Sequence, residues 1–213
     1  MRLPPKKITY QDRIEMRPFS LVDSDLIYQA VKDSQSALKQ FKAWAHFKKN
    51  RETALSIYSA LSSKTSIGQE AHFCGFNKGT DDFLFCIGLF PDNRLNQHSM
   101  ELGYWVSSKH SGEGFGTLSA QLTIYLAFFY YGADRLAIRS DPDNKGSLAI
   151  INKCGFNKEG VMRNSLAKPT REMLNDGYST NRDSLYFSLI SDDLKDLDWI
   201  DQITNEIEII PII

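Results

Sequence analysis

The stretch from Met100 to Ser119 constrains the fold more than any other part of the chain. It opens with alternating residues rich in aromatic and β-branched side chains, which is typical of a β-strand. Glycines then occupy every second position, at Gly112, Gly114 and Gly116, and apolar residues recur at helical spacing beyond them. A strand, a glycine loop and a helix in this order favour phosphate binding, because loop N–H groups and the helix dipole attract an anion.

Two nucleotide-binding motifs do not fit this loop. A mononucleotide P-loop ends in Gly-Lys-Ser/Thr, and no lysine follows the glycines here. A dinucleotide fingerprint requires a third glycine where Thr117 stands, and the chain does not continue as repeated βαβ units. The glycines alone are also compatible with an ordinary turn before a helix.

Three motifs in sequence order resemble the GNAT superfamily of acyl-CoA-dependent N-acyltransferases. The family loop reads Gln/Arg-x-x-Gly-x-Gly/Ala, and here it corresponds to Ser111–Gly116. The preceding strand, Glu101–Val106, is similar to the branch that contains the ribosomal-protein N-terminal (alanine/serine) acetyltransferases. The segments Asp141–Ser147 and Lys153–Gly160 resemble the same branch. The resemblance covers about residues 12 to 191.

This resemblance implies an α/β (α+β) class fold, the GNAT acyl-CoA N-acyltransferase fold. It has a central mixed, mostly antiparallel twisted sheet flanked by helices. Two strands, here Glu101–Val106 and Arg135–Ser140, are expected to splay apart and hold the cofactor. We expect a GNAT domain over residues 8–191 and a C-terminal extension over residues 192–213, made of a helix and an apolar tail. The tail is expected to dock on the same chain; if exposed, it would favour dimerisation.

Local patterns predict the other elements. Further strands are expected over Arg13–Phe19, Ala71–Phe76, Phe83–Leu89 and Ser184–Ile190. Helices are expected over Ser20–Lys32, Ser36–Trp44, Glu52–Leu61, the stretch from Leu118 to Gly132, Asn144–Lys153 and Asp193–Ile203, and a polar loop over Pro91–Gln97.

The resemblance also implies which residues contact the acetyl-CoA cosubstrate. Main-chain groups of one strand would bind the pantetheine arm, and loop N–H groups would bind the pyrophosphate. Ser111 stands where the family usually has Gln or Arg, which removes a side-chain contact but no backbone donor. Asn144 corresponds to a further pantetheine contact. The expected cofactor-binding residues are Tyr104, Trp105, Val106, Ser111, Gly112, Glu113, Gly114, Phe115, Gly116, Thr117 and Asn144.

Amine attack on a thioester requires a base and benefits from a donor for the leaving thiolate. The family position of Glu101 makes it the candidate base, and Ser147 corresponds to the thiol-protonating serine. Each has an alternative role from its residue type alone. Glu101 also fits a strand-end ion pair, and Asn144 with Ser147 fits an ordinary helix start. No metal is expected, because His72, His98 and His110 lack ligand spacing and are assigned to solvent or loop roles.

Composition limits which binding partners and which cellular location the sequence predicts. The chain has 213 residues with 25 basic and 26 acidic side chains, so no overall field favours nucleic acid. No apolar run reaches membrane-spanning length, and the start of the chain does not read as a signal peptide. Its 3 cysteines lack metal or disulfide spacing, which indicates reduced thiols and a cytoplasmic location.

The sequence therefore predicts an acetyl-CoA-dependent N-acetyltransferase that acts on a primary amine. The acceptor is a small-molecule amine or a protein N-terminus, and a homodimer is one possible assembly. The alternative is a catalytically degenerate acyl-CoA-binding module that serves as a sensor or scaffold. The basic residues His46, Lys48, Lys49 and Arg51 are assigned to a solvated loop, with a rim for an acidic acceptor or the CoA 3′-phosphate as the second interpretation.

Overall fold

The computed structural model describes residues 1–46, 50–92 and 98–212. The predictions for Lys48, Lys49 and residues 93–97 of the loop Pro91–Gln97 lie outside these ranges. Within them, no helix is both long and apolar enough to cross a membrane. The same ranges contain no group of three or more His, Cys, Asp or Glu side chains positioned to hold a metal ion.

One sheet of 9 strands forms the centre of the described fold. In chain order the strands are β1 (Lys7–Tyr10), β2 (Ile14–Pro18), β3 (Ala71–Asn77), β4 (Asp82–Pro91), β5 (Ser99–Val106), β6 (Arg135–Ser140), β7 (Asn157–Met162), β8 (Ser184–Ile190) and β9 (Ile207–Ile210). Across the sheet they are ordered β7-β8-β6-β5-β4-β3-β2-β1-β9. The neighbours are antiparallel except β5 and β6, which are parallel. The predicted mixed, mostly antiparallel sheet is confirmed.

Helices cover both faces of this sheet. The α-helices are α1 (Ser24–Asp33), α2 (Gln35–Lys39), α3 (Arg51–Ser66), α4 (Phe115–Tyr125), α5 (Lys145–Lys153), α6 (Arg171–Asn175) and α7 (Ile200–Glu206). Shorter 3₁₀ turns span Leu21–Asp23, Ala43–His46, Ser108–His110 and Ser191–Asp196, and a π-helical turn over Leu126–Tyr130 extends α4. Buried residues of α1 and α3 pack in one core cluster, and those of α4, α5 and α7 pack in the other.

The alternation of β5 divides its side chains between the two clusters. Leu102, Tyr104 and Val106 belong to the cluster that contains α4 and α5. Trp105 belongs to the cluster under α1 and α3. Because successive strand residues point to opposite faces, β5 contributes side chains to both faces of the sheet.

Several predicted bounds agree with the structure, and others differ. Strands β6 and β8 have the predicted bounds, and α5 begins at its Asn144 cap as expected. The single helix predicted over Ser36–Trp44 is instead α2 followed by a 3₁₀ turn, and α3 extends to Ser66. Strands β1, β7 and β9 were not predicted.

The apolar tail forms part of the sheet. Strand β9 pairs antiparallel with β1, with Ile209 opposite Ile8. Ahead of it, Ile203 of α7 is buried in the main core cluster. The prediction that the tail docks on its own chain is therefore confirmed, with strand pairing as the means.

Candidate active site

Strands β5 and β6 separate partway along their length. They pair at three positions, the last being Glu101 opposite Ala137. Beyond this point β5 continues to Val106 and β6 to Ser140 without a further pair between them in the described structure. The β6-facing N–H and C=O groups of residues 102–106 therefore have no partner strand, and the predicted splay is present.

A groove of about 230 Å³ occupies this wedge. Its walls come from β5, from the end of β6, from the start of α5, and from α2 with the segment that follows it. The groove is lined by Ala37, Leu38, Phe41, Lys42, Leu102, Gly103, Tyr104, Trp105, Val106, Ile138, Arg139, Asn144, Gly146, Ser147 and Ile150. It brings together the predicted strand residues 104–106 and the predicted helix-start residues Asn144 and Ser147.

The glycine loop lies between β5 and α4. Gly112 and Gly114 have φ values of +85° and +88°, a region that favours glycine, and a Cβ at either would meet no atom within 4 Å. At Gly116 the reason for glycine is different. A Cβ there would lie 2.7 Å from Cδ1 of Ile150, so its absence allows α4 to approach α5 closely. The first two glycines thus shape an open loop, and the third brings this loop against the end of the groove.

The start of α4 offers backbone donors beside this loop. The Leu118 N–H donates to the Gly114 carbonyl at 3.0 Å, which is the first hydrogen bond of the helix. The N–H groups of Phe115, Gly116 and Thr117 precede it, at positions that have no acceptor within a helix. Three N–H groups and the positive end of the helix dipole together suit an anion such as a pyrophosphate.

Tyr104 and Ser147 are joined across the groove. The Tyr104 hydroxyl lies 3.2 Å from Ser147 Oγ, and the two form a hydrogen bond. Burial raises the pKa of Tyr104 to about 12, so its phenol is protonated at neutral pH. The Asn144 Oδ1 accepts from the Ser147 N–H at 3.0 Å, which fixes the first turn of α5. The sequence identified Tyr104 through its main chain and missed its hydroxyl.

Glu101 lies where β5 and β6 part and forms an ion pair with Arg139. Oε1 of Glu101 is 2.8 Å from Arg139 Nη2 and also accepts from Arg139 Nε at 2.9 Å. Lys42 is close enough for the Glu101 charge to raise its pKa, but burial is the larger effect and lowers it. The ion pair foreseen as the alternative role of Glu101 is present in the structure, and the groove begins immediately beside it.

His72 is a buried residue that the sequence assigned wrongly to solvent or loop roles. It lies on β3, whose residues 71–76 are all buried because helices cover both faces of this strand. Its Nε2 is 2.8 Å from Glu70 Oε2, and burial lowers its pKa below the ordinary value. A central strand covered on both faces carries no alternating polar signal, which explains the error.

The polar segment Lys168–Asn181 folds back onto the residues that follow α1. It contains α6, and Glu172 on this helix accepts from Lys39 Nζ at 3.0 Å and lies 3.3 Å from His46 Nδ1. These two partners lower the pKa of Glu172. His46 is itself buried, so its assignment to a solvated loop was wrong.

The rest of the segment Lys168–Asn181 also contacts the residues around the end of α2. The Tyr178 hydroxyl donates to the Gln40 carbonyl at 2.6 Å. Asp176 lies directly after α6. Arg51, the last of the basic residues noted in the sequence, pairs with Asp25 through two hydrogen bonds of 2.8 and 2.9 Å.

The chain matches the family model described as "Acetyltransferase (GNAT) domain" over residues 13–157. The chain belongs to the GNAT acetyltransferase family. The resemblance seen in the sequence is confirmed, and so are the fold class and the assignment as an N-acetyltransferase. A degenerate acyl-CoA-binding module is not supported, because the match is to an acetyltransferase domain.

Individual proteins of the same kind are similar over most of the chain. The uncharacterized N-acetyltransferase p20 of Bacillus licheniformis is 25% identical over 156 residues, 72% of this chain and 84% of that protein. The ribosomal-protein-serine acetyltransferase of Escherichia coli (strain K12) is 25% identical over 154 residues, 71% of this chain and 80% of that protein. The solved structure of Mycobacterium smegmatis RimJ in complex with CoA-disulfide aligns with a TM-score of 0.73 and 18% identity. It covers 90% of this chain and 92% of the other.

Proposed function

We propose that the chain transfers the acetyl group of acetyl-CoA, bound in the β5–β6 groove, to a primary amine by direct attack on the thioester. The observation that carries this proposal is the end of strand pairing at Glu101 and Ala137. From that point the groove offers unpaired strand groups along one wall and the glycine loop at its end. An amide-bearing arm with a pyrophosphate complements both features.

We assign contacts to acetyl-CoA in three places. The main chain of Tyr104, Trp105 and Val106 would bind the pantetheine amides, since a strand edge satisfies amide groups without regard to sequence. The loop Ser111–Gly116 and the N–H of Thr117 would bind the pyrophosphate. Asn144 would contact the pantetheine arm from the start of α5. Acetyl-CoA supplies an activated acyl group, and the protein supplies position and proton transfer.

For catalysis we assign Glu101 as the base and Ser147 as the donor. Glu101 is held by Arg139 where β5 and β6 part, and its carboxylate would accept a proton from the amine, directly or through water. Ser147 would donate its proton to the departing thiolate. The hydrogen bond to Tyr104 gives Ser147 a protonated neighbour from which to recover it.

The acceptor is a primary amine, either on a small molecule or at a protein N-terminus. The E. coli relative acts on a ribosomal protein, which supports an N-terminal amine as one member of this class. Three free cysteines in the described residues suit the predicted cytoplasmic location.

The assembly and the role of the last residues remain predictions of the sequence. The division into residues 8–191 and an extension over 192–213 is retained here as a proposal. A homodimer is supported by the position of β9, an apolar strand at one edge of the sheet, because an open edge can pair with a second strand. Light scattering of the purified protein would distinguish dimer from monomer.

Amine-dependent release of CoA thiol tests the proposed function. The wild-type protein is mixed with acetyl-CoA and each of a set of primary amines, and free thiol is followed over time. The proposal predicts release that requires both acetyl-CoA and an amine, together with an N-acetylated product found by mass spectrometry. Thiol release that is the same with and without every amine would contradict it.

A further inference from the structure

A second, larger cavity opens beside the cofactor groove on the other face of the sheet. It measures about 450 Å³ and lies between the helices α1 and α3 and the strands β3, β4 and β5. Four residues line both spaces: Lys42, Gly103, Tyr104 and Trp105. The cavity and the groove therefore meet at the segment of β5 where the thioester is proposed to lie. Its volume is within the range of small-molecule sites.

Aromatic and aliphatic side chains form most of the cavity wall. The Trp44 and Trp105 rings meet edge to face at 6.5 Å, and the Phe19 and Tyr58 rings lie 5.4 Å apart. Aliphatic residues of α1 and α3 also line the cavity: Ile27, Val31, Ala54, Ile57 and Leu61. Such a wall removes apolar surface of a ligand from water and offers ring faces to an aromatic group.

Two glycines create the floor of the cavity. Gly88 on β4 lies opposite Gly103 on β5, and the ring of Phe90 extends across both. A Cβ at Gly88 would lie 2.7 Å from this ring, and one at Gly103 would lie 3.2 Å from it. The absence of side chains at the two glycines therefore leaves room for the Phe90 ring, which lines the cavity, and the His72 ring meets it edge-on at 5.4 Å.

The charges of the lining do not suit a polycation. Among the described residues that line the cavity there is no carboxylate, while Lys42 is present at the junction with the groove. Lys42 and His72, which also line the cavity, are bases and provide no negative charge in either protonation state. A second or third ammonium group on an acceptor would lose its hydration here without gaining a partner.

We infer that this cavity is the acceptor site and that it takes a primary amine carried by an aromatic or bulky aliphatic body. The body lies among the rings, and the amine reaches Gly103–Trp105, where the cavity meets the groove. The amine nitrogen forms the new bond to the acetyl carbon, and the bond from that carbon to sulfur breaks. The sulfur leaves with the electron pair as the CoA thiolate, which takes a proton from Ser147, and the amine proton goes to the base. This inference rests on the proposed function and names its substrate class.

The test compares three kinds of acceptor and one pair of variants. The acceptors are 2-phenylethylamine and tryptamine, spermidine, and short peptides with Ala or Ser at the N-terminus. Val31→Trp fills the cavity from α1, and Val22→Trp serves as the control because Val22 is 91% exposed and does not line the cavity. Calorimetric titration with acetyl-CoA is run on all three proteins.

The inference predicts that kcat/KM for the two arylalkylamines exceeds that for spermidine and for the peptides at least tenfold. Val31→Trp is expected to raise KM for the arylalkylamines at least tenfold, with unchanged acetyl-CoA affinity, while Val22→Trp changes neither. Faster turnover of spermidine or the peptides, or an arylalkylamine KM that Val31→Trp leaves unchanged, would overturn the inference while the proposed function stands. Absence of acetyl-CoA binding by the wild type would overturn both.

Discussion

The hydroxyl of Tyr104 is hydrogen-bonded to Oγ of Ser147 at 3.2 Å, which links the central strand to the first turn of α5 across the groove. The contact requires β5 to present Tyr104 toward α5 at the position where its pairing with β6 has already ended. Two hydroxyls that can exchange a proton thus lie together in the wedge between the strands.

Removal of either hydroxyl is expected to slow the chemical step. Ser147→Ala should lower kcat by about 100-fold or more, the usual scale for loss of a positioned proton donor. Tyr104→Phe should lower kcat by a smaller factor, because Ser147 remains. The double variant should resemble Ser147→Ala alone, since the two groups act as a unit. Steady-state kinetics would measure this, with Tyr125→Phe on α4 as a control that also loses a partly buried tyrosine hydroxyl. Strictly additive losses would contradict the linked role.

Glu101→Gln is expected to reduce kcat by about 100-fold or more while acetyl-CoA affinity is unchanged, because the amide cannot accept the amine proton. Glu159→Gln is a suitable control. Glu159 also pairs with an arginine, Arg135 at the start of β6, and neither residue lines the groove. If both variants keep wild-type kcat, Glu101 has only the structural role of an ion pair.

The fold was readable from the sequence where local signals were strong. Strands β6 and β8 have alternating apolar residues between turn residues, and their bounds were predicted correctly. Strands β1 and β9 each span only 4 residues and pair with each other across nearly the whole chain. A short strand whose partner is so distant leaves no local pattern to detect.

Only the parts of the site that rest on local motifs were predicted from the sequence. The glycine loop and the Asn144 cap are local motifs; Asn144 lines the groove, and Gly116 lies against Ile150, which also lines it. The Tyr104–Ser147 contact and the burial of His72 depend on how distant elements pack. The acceptor cavity likewise arises from two helices and three strands and has no contiguous sequence signature.

The C-terminal residues are expected to contribute to global stability. Ile203 is 2% exposed in the main core, so Ile203→Ala should lower the free energy of unfolding by about 2–5 kcal/mol. Ile212 is 56% exposed, and Ile212→Ala should change it by less than about 0.5 kcal/mol. Urea denaturation of both variants would measure the difference. Equal stability of the two variants would contradict the packing of α7 against the sheet.

The His72–Glu70 pair predicts a specific titration. Burial lowers the pKa of His72 from its ordinary value of 6.5, while the Glu70 carboxylate opposes this shift. Folded protein therefore binds fewer protons than unfolded protein, and the stability contributed by neutral His72 is lost as pH falls below about 6.5.

Glu70→Gln should lower the pKa of His72 further, because the opposing carboxylate is gone. NMR titration of the imidazole C–H signal, assigned with His72→Asn, would follow both proteins. A higher pKa of His72 in Glu70→Gln would contradict this description.

Calorimetric titration of acetyl-CoA into the wild type, Gly114→Glu and Gly79→Glu tests the central claim most directly. Gly114 and Gly79 have similar φ values, +88° and +84°, and a Cβ at either meets no atom within 4 Å. Both variants therefore carry the same backbone strain, about 1–2 kcal/mol, and the same added charge.

Only Gly114 lies in the loop proposed to bind the pyrophosphate. Saturable binding in the wild type and in Gly79→Glu, with loss of binding in Gly114→Glu, is the expected result. Equal affinity in all three proteins would contradict the assignment of acetyl-CoA to the β5–β6 groove and its glycine loop.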